Sequence, residues 1–109
     1  MASSGISAGA TAVIFISTRN DADPQGYAEA ADAMESLAAL QPGYIGIESV
    51  RGDDRRGVTI SYWRDETAAI AWRDHPDHAA VREKGRALWY DECHTIVTSV
   101  TRAYRWARG

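Results

Sequence analysis

This sequence is short of several things, and each shortage closes off a class of protein. It has one cysteine, Cys93, so no disulfide can form within the chain, and a reducing compartment suits it. Its only solid apolar run, AVIFI at residues 12–16, is far below the roughly 20 apolar residues of a membrane span. The opening MASSGISAGATAVIFI lacks the basic stretch of a secretion signal, so the cytoplasm is the expected location. Positive charge is in deficit: the formal net charge is -3, and acidic residues are interleaved with the arginines. That pattern argues against a nucleic-acid face and against membrane attachment. GxSxG, P-loop and GxGxxG patterns are all missing, so no phosphate or dinucleotide site stands out.

What is present describes one domain. A chain of 109 residues holds a single core and buries about two thirds of its unfolded surface. TAVIFIST at residues 11–18 is β-branched and apolar on both faces, the mark of a covered strand. Asp23 and Pro24 open a helix to about Leu40, with Tyr27, Ala30, Ala31, Met34 and Leu37 on one stripe, and Pro42–Gly43 stop it. Two strands, 44–51 and 58–64, flank the exposed turn GDDRRG, with Ile45 and Ile47 expected on one face. A helical segment then carries Ala69, Ile70 and Trp72. Pro76 restarts a second helix to about Tyr90, and a last strand is expected from about Cys93 to Trp106. The order β-α-β-β-α-β is the ferredoxin-like split βαβ arrangement, an α+β fold with an antiparallel sheet. Its helices cover one face of the sheet, and the apolar residues on the other face predict a homodimer.

Chemistry-bearing residues concentrate in AWRDHPDHAAVREKGRALWY at residues 71–90. Trp72 can stack on a planar ligand, or fill the core with its N–H bonded to a carbonyl. His78 lies on the inward stripe of its helix and, as a neutral imidazole, can take a proton or ligate iron. His75 and His78 have helical spacing, but Pro76 restarts the helix between them, so no metal site is expected. Of Tyr62 and Trp63 only one can face the helices, because strand neighbours alternate. Trp89 is a candidate pocket wall. Asn20, the single asparagine, fits the turn chemistry of RNDADP, and Cys93 reads as a small core residue.

PGYIGIES at residues 42–49, TISYWRDE at 59–66, AWRDHPDH, GRALWY at 85–90 and VTRAYRW at 100–106, in that order, resemble the antibiotic biosynthesis monooxygenase family. The resemblance runs from about Thr11 to Trp106. It implies a dimeric α+β barrel, with residues 11–109 as one such domain; the small, polar residues 1–10 read by their composition as a flexible N-terminal arm. It also implies a pocket between helices and sheet, and oxidation of a small aromatic or polycyclic, enolisable substrate by O2 with no cofactor. His78 and Trp72 would be the catalytic pair, and Tyr62, Trp63, Trp89 and Asn20 the substrate-binding residues. Other relatives of this kind bind and degrade haem, which makes haem the alternative cofactor, although they space their tryptophan and histidine further apart. A third possibility is a non-catalytic ligand-binding or stress-associated module built on the same barrel.

Overall fold

The computed structural model describes residues 5–109. Its elements are β1 (Thr11–Arg19), α1 (Pro24–Ala38), β2 (Tyr44–Arg51), β3 (Arg56–Trp63), α2 (Glu66–Arg73), α3 (Pro76–Lys84), a single π-helical turn (Gly85–Trp89) and β4 (Tyr90–Ser99). The strands form one antiparallel sheet in the order β2-β3-β1-β4. This is the ferredoxin-like α+β arrangement expected, with the second helical unit divided at Pro76. No helix of the described residues is long and apolar enough to cross a membrane.

Local chemistry explains where the elements begin and end. Asp23 sits in the left-handed region (φ 49°), and its carboxylate accepts from the Gly26 amide at 3.1 Å to start α1. A Cβ at Gly26 would meet that carboxylate at 2.0 Å, so a larger residue there would push the capping side chain aside. Gly43, with φ 83°, turns the chain from α1 into β2, and a Cβ there would strike the Ala68 methyl at 2.5 Å. Asp65 caps α2 through the Ala68 amide at 2.9 Å, and His75 Nδ1 accepts from the Asp77 amide at 3.1 Å to cap α3.

Three details depart from the sequence expectation. A bulge at Ile45, between the pairs Tyr44–Trp63 and Gly46–Tyr62, interrupts the alternation that was to place Ile45 and Ile47 on one face. The helix expected to reach Tyr90 is α-helical only to Lys84 and then widens into the π turn. The last strand starts at Tyr90 and stops at Ser99, not at Trp106. It stops because its partner runs out: Ser99 pairs with Thr11, the first residue of β1. The backbone bonds Gly9–Val100 and Ala10–Val100 close the ladder, and residues 101–109 are exposed, with Tyr104 at 87% and Trp106 at 75%.

The two faces of the sheet differ. Val13, Phe15, Thr59, Ser61, Thr95 and Val97 point toward the helices, as the residues lining the space beneath them show. Strand alternation puts Ile14, Ile16, Val58, Ile60, Tyr62 and Ile96 on the opposite face. Under the helices, the core of Ala38, Trp63, Ala68, Ala69 and Trp72 gathers at the end of β1 where Thr11 pairs with Trp63. Burial there leaves the rest of the helix-side space unfilled, and that space is the candidate site.

Candidate active site

A cavity of about 830 Å³ lies between α1, α2 and α3 and the helix side of the sheet. Its walls are mostly apolar, with a few polar groups converging on it, as small-molecule sites are built. Trp72 from α2 and His78 from α3 line it together. Their rings stack at 4.3 Å with only 10° between planes. Behind Trp72 the stack continues to Trp63 (6.1 Å, 25°), which meets Tyr44 edge-on at 5.7 Å.

His78 Nδ1 lies 3.0 Å from the Trp72 carbonyl oxygen. A carbonyl can only accept, so Nδ1 carries the proton and Nε2 keeps its lone pair. Burial pushes the His78 pKa below its ordinary value, and the nearby Arg82 charge adds to this, while the bond to Trp72 opposes it. The ring is therefore neutral near pH 7, with a fixed tautomer and one basic nitrogen.

The three interior tryptophans divide by what their N–H groups do. Trp63, 0% exposed, donates to Ser61 Oγ at 2.9 Å inside the core. Trp89, 1% exposed, reaches Asp23 Oδ2 at 3.4 Å and fixes the π turn against the start of α1. Trp72 Nε1 makes no hydrogen bond among the described residues, and its ring lines the cavity. A tryptophan serving only as core would have its N–H satisfied, as the other two do.

The remaining sequence candidates scatter. Trp89 lines the cavity, but Trp63 stands behind Trp72 as core. Tyr62 is on the opposite face of the sheet, where its hydroxyl donates to Glu48 at 3.2 Å. Asn20 does not line the cavity: its amide nitrogen donates to the Leu88 carbonyl at 3.0 Å and its oxygen accepts from the Ala22 amide at 2.8 Å. It ties the end of β1 to the π turn. Cys93, expected in the core, is exposed as a residue and borders the cavity, where partial desolvation of its thiol raises its pKa. Among the described residues no three His, Cys, Asp or Glu side chains converge as metal ligands. The reason is visible in His75 and His78, whose Nδ1 atoms serve a helix cap and a carbonyl.

Sequence reasoning missed Tyr27, Phe15 and Tyr90 as cavity residues. Tyr27 was legible as an inward position of α1. Tyr90 was not, because its direction depends on the π turn placing it at the first position of β4.

Fold and site together define a small α+β domain whose sheet and helices enclose a mostly apolar cavity. The chain belongs to the antibiotic biosynthesis monooxygenase family, whose profile matches residues 10–84. It is 50% identical to the uncharacterised protein YqjZ of Bacillus subtilis over 91 residues, 84% of this chain and 79% of that protein. It is 29% identical over 96 residues to a jasmonate monooxygenase of Pyricularia oryzae, a match that spans 86% of this chain and 45% of the fungal protein. The fold is also that of SnoaB, a cofactor-independent oxygenase of Streptomyces nogalater (TM-score 0.74, 19% identity, 88% of this chain and 97% of SnoaB). A protein of Shewanella oneidensis shares it as well (TM-score 0.77, 10% identity, 87% of this chain and 94% of that one).

Proposed function

We propose that the protein is a cofactor-independent monooxygenase that oxidises a small aromatic or polycyclic, enolisable substrate with O2. One observation carries this reading: Trp72, with an uncommitted N–H, and His78, with a free Nε2, line the same cavity in a fixed parallel stack. The family membership and the fold shared with SnoaB support it.

The chemistry uses groups already in place. A planar substrate lies along the Trp72–His78 wall, and His78 Nε2 removes a proton from the methylene carbon conjugated with the carbonyl system. The resulting delocalised carbanion gives one electron to O2, and the radical pair combines into a carbon-bound peroxide. Loss of the second methylene proton, return of a proton to the outer peroxide oxygen and cleavage of the O–O bond release water and leave a new carbonyl. One methylene group and one O2 thus become one ketone and one water. The protein contributes orientation, exclusion of water and the base. Oxygen uptake with a panel of anthrones and hydroquinones tests this, and no uptake across the panel would overturn it.

Haem fits the site less well. His78 presents one nitrogen that iron could use, but Asn20 is bonded to backbone groups away from the cavity. A Soret shift on hemin titration that disappears in His78→Ala would replace the oxygenase reading with the haem one. The third possibility, a ligand-binding module, would be favoured by tight dye binding without turnover.

A second copy of the chain is the proposed cover for the open sheet face, where Ile14, Ile16, Val58, Ile60 and Ile96 lie together beside Val50, itself 75% exposed. Sedimentation at micromolar concentration should give a dimer; a monomer would rule it out. Action in the cytoplasm remains part of the same reading.

A further inference from the structure

The cavity has a second polar region that plays no part in the mechanism above. It lies at the other end of β1, where Arg19 pairs with Tyr90, whereas the Trp63–Trp72–His78 stack rises from the end where Thr11 pairs with Trp63. Tyr27 and Tyr90 both line the cavity there, with rings 5.9 Å apart at 87°. Phe15 and Trp89 close around them edge-on at 5.5 and 5.8 Å.

Two guanidinium groups stand behind this cluster. Arg19 Cζ is 3.7 Å from the centre of the Tyr27 ring, and Arg51 Cζ is 5.8 Å from it. Arg51 donates to Ser17 Oγ at 2.8 Å, while Arg19 Nε is shut off from solvent with no hydrogen-bond partner. Arg55, Arg56, Arg64, Arg73 and Arg86 all pair with carboxylates, but Arg19 and Arg51 pair with none among the described residues. Positive charge held partly out of water without a carboxylate partner favours an anion that arrives. Burial, reinforced by Tyr27, keeps the Tyr90 hydroxyl protonated despite Arg51, so it remains a donor.

We propose that Tyr27 and Tyr90, backed by Arg19 and Arg51, form an oxyanion subsite that receives the enolate or phenolate oxygen of the aromatic ligand. The hydroxyls would touch that oxygen, and the guanidiniums act through the rings as positioning residues. With the base on the other polar wall, the site selects molecules whose acidic carbon and carbonyl oxygen lie across a ring from each other. That selectivity rests on the oxygenase reading, but the subsite itself can be tested without turnover.

The probe is alizarin, a dihydroxyanthraquinone whose phenol changes colour on ionising, with the smaller 4-nitrophenol as a second ligand. Absorbance titration across pH should show the bound phenol ionising with an acid constant at least about tenfold larger than in water. Tyr90→Phe and Arg51→Gln should each remove most of that enhancement while the ligand still binds. Tyr27→Phe provides an independent arm if either variant fails to fold by near-ultraviolet circular dichroism. An unshifted ionisation in the wild type, an unchanged shift in Tyr90→Phe and Tyr27→Phe, or no binding of either probe would each overturn the subsite. Oxygen uptake with an unshifted dye would sink the subsite and leave the oxygenase reading standing; a shifted dye without uptake would do the reverse.

Discussion

The two ends of the cavity are built from the same materials and do different things. At the Thr11 end, Trp63, Tyr44 and Trp72 pack against alanines of α1 and α2, and the titratable ring stacked on the cavity wall is His78. At the Arg19 end, Phe15, Tyr27, Trp89 and Tyr90 meet edge-to-face, with two guanidiniums behind that have no carboxylate partner among the described residues. Aromatic content alone would not separate them. What separates them is the polar groups set among the rings. At the Thr11 end Trp63 is satisfied by Ser61, while Trp72 Nε1 makes no hydrogen bond among the described residues and His78 keeps a basic nitrogen. At the Arg19 end Trp89 is satisfied by Asp23, and the groups beside the cavity are two phenol hydroxyls.

Substitutions can break this contrast, and the largest effect should come from the packed side of it. Trp63→Ala should cost about 3–5 kcal/mol of stability, measured by denaturant unfolding. A loss below about 1 kcal/mol would mean that the ring is not the core of this end. His78→Ala should lower kcat on any accepted substrate by at least about 100-fold with the fold intact. An undiminished rate would remove His78 as the base. Asn20→Ala should lower stability by about 1 kcal/mol, because it unties the π turn from β1, while leaving turnover within about twofold. A selective loss of turnover would instead move Asn20 into the site.

The smallest effect is in pH dependence. Because burial depresses the His78 pKa, the folded protein holds a neutral ring where the unfolded chain takes up a proton. Its contribution to stability is therefore complete above about pH 6.5, the ordinary histidine value, and is lost as pH falls through the lower folded value. Turnover should fall with acid over the same range. His78→Gln should flatten both profiles, and unfolding curves collected from pH 4 to 8 would show whether it does.

Most of the fold was legible because the chain punctuates itself. Asp23–Pro24, Pro42–Gly43 and Pro76 mark helix boundaries whose chemistry is local, and all three stand where such residues should. The strand ends were less legible. Nothing in VTRAYRW says that a strand must stop at Ser99, since the stop comes from the length of β1 next to it. The site divides the same way. Trp72 and His78 could be paired from their place in consecutive helical segments, and the alternation of β3 allowed only one of Tyr62 and Trp63 to face inward. Which one did depended on the pairing of Trp63 with Thr11 and on its contact with Trp72.

By itself the sequence determined the α+β order, the capped helices, the family and the inward placement of Trp72 and His78, because periodicity, turn chemistry and capping act over a few residues. Only the tertiary structure decided that Trp63 is core, that Asn20 and Tyr62 stand outside the cavity, and that Tyr27 and Tyr90 meet beside two arginines with no carboxylate partner among the described residues. Those outcomes depend on strand register, on the bulge at Ile45 and on the π turn at Gly85–Trp89, which bring together residues more than sixty positions apart.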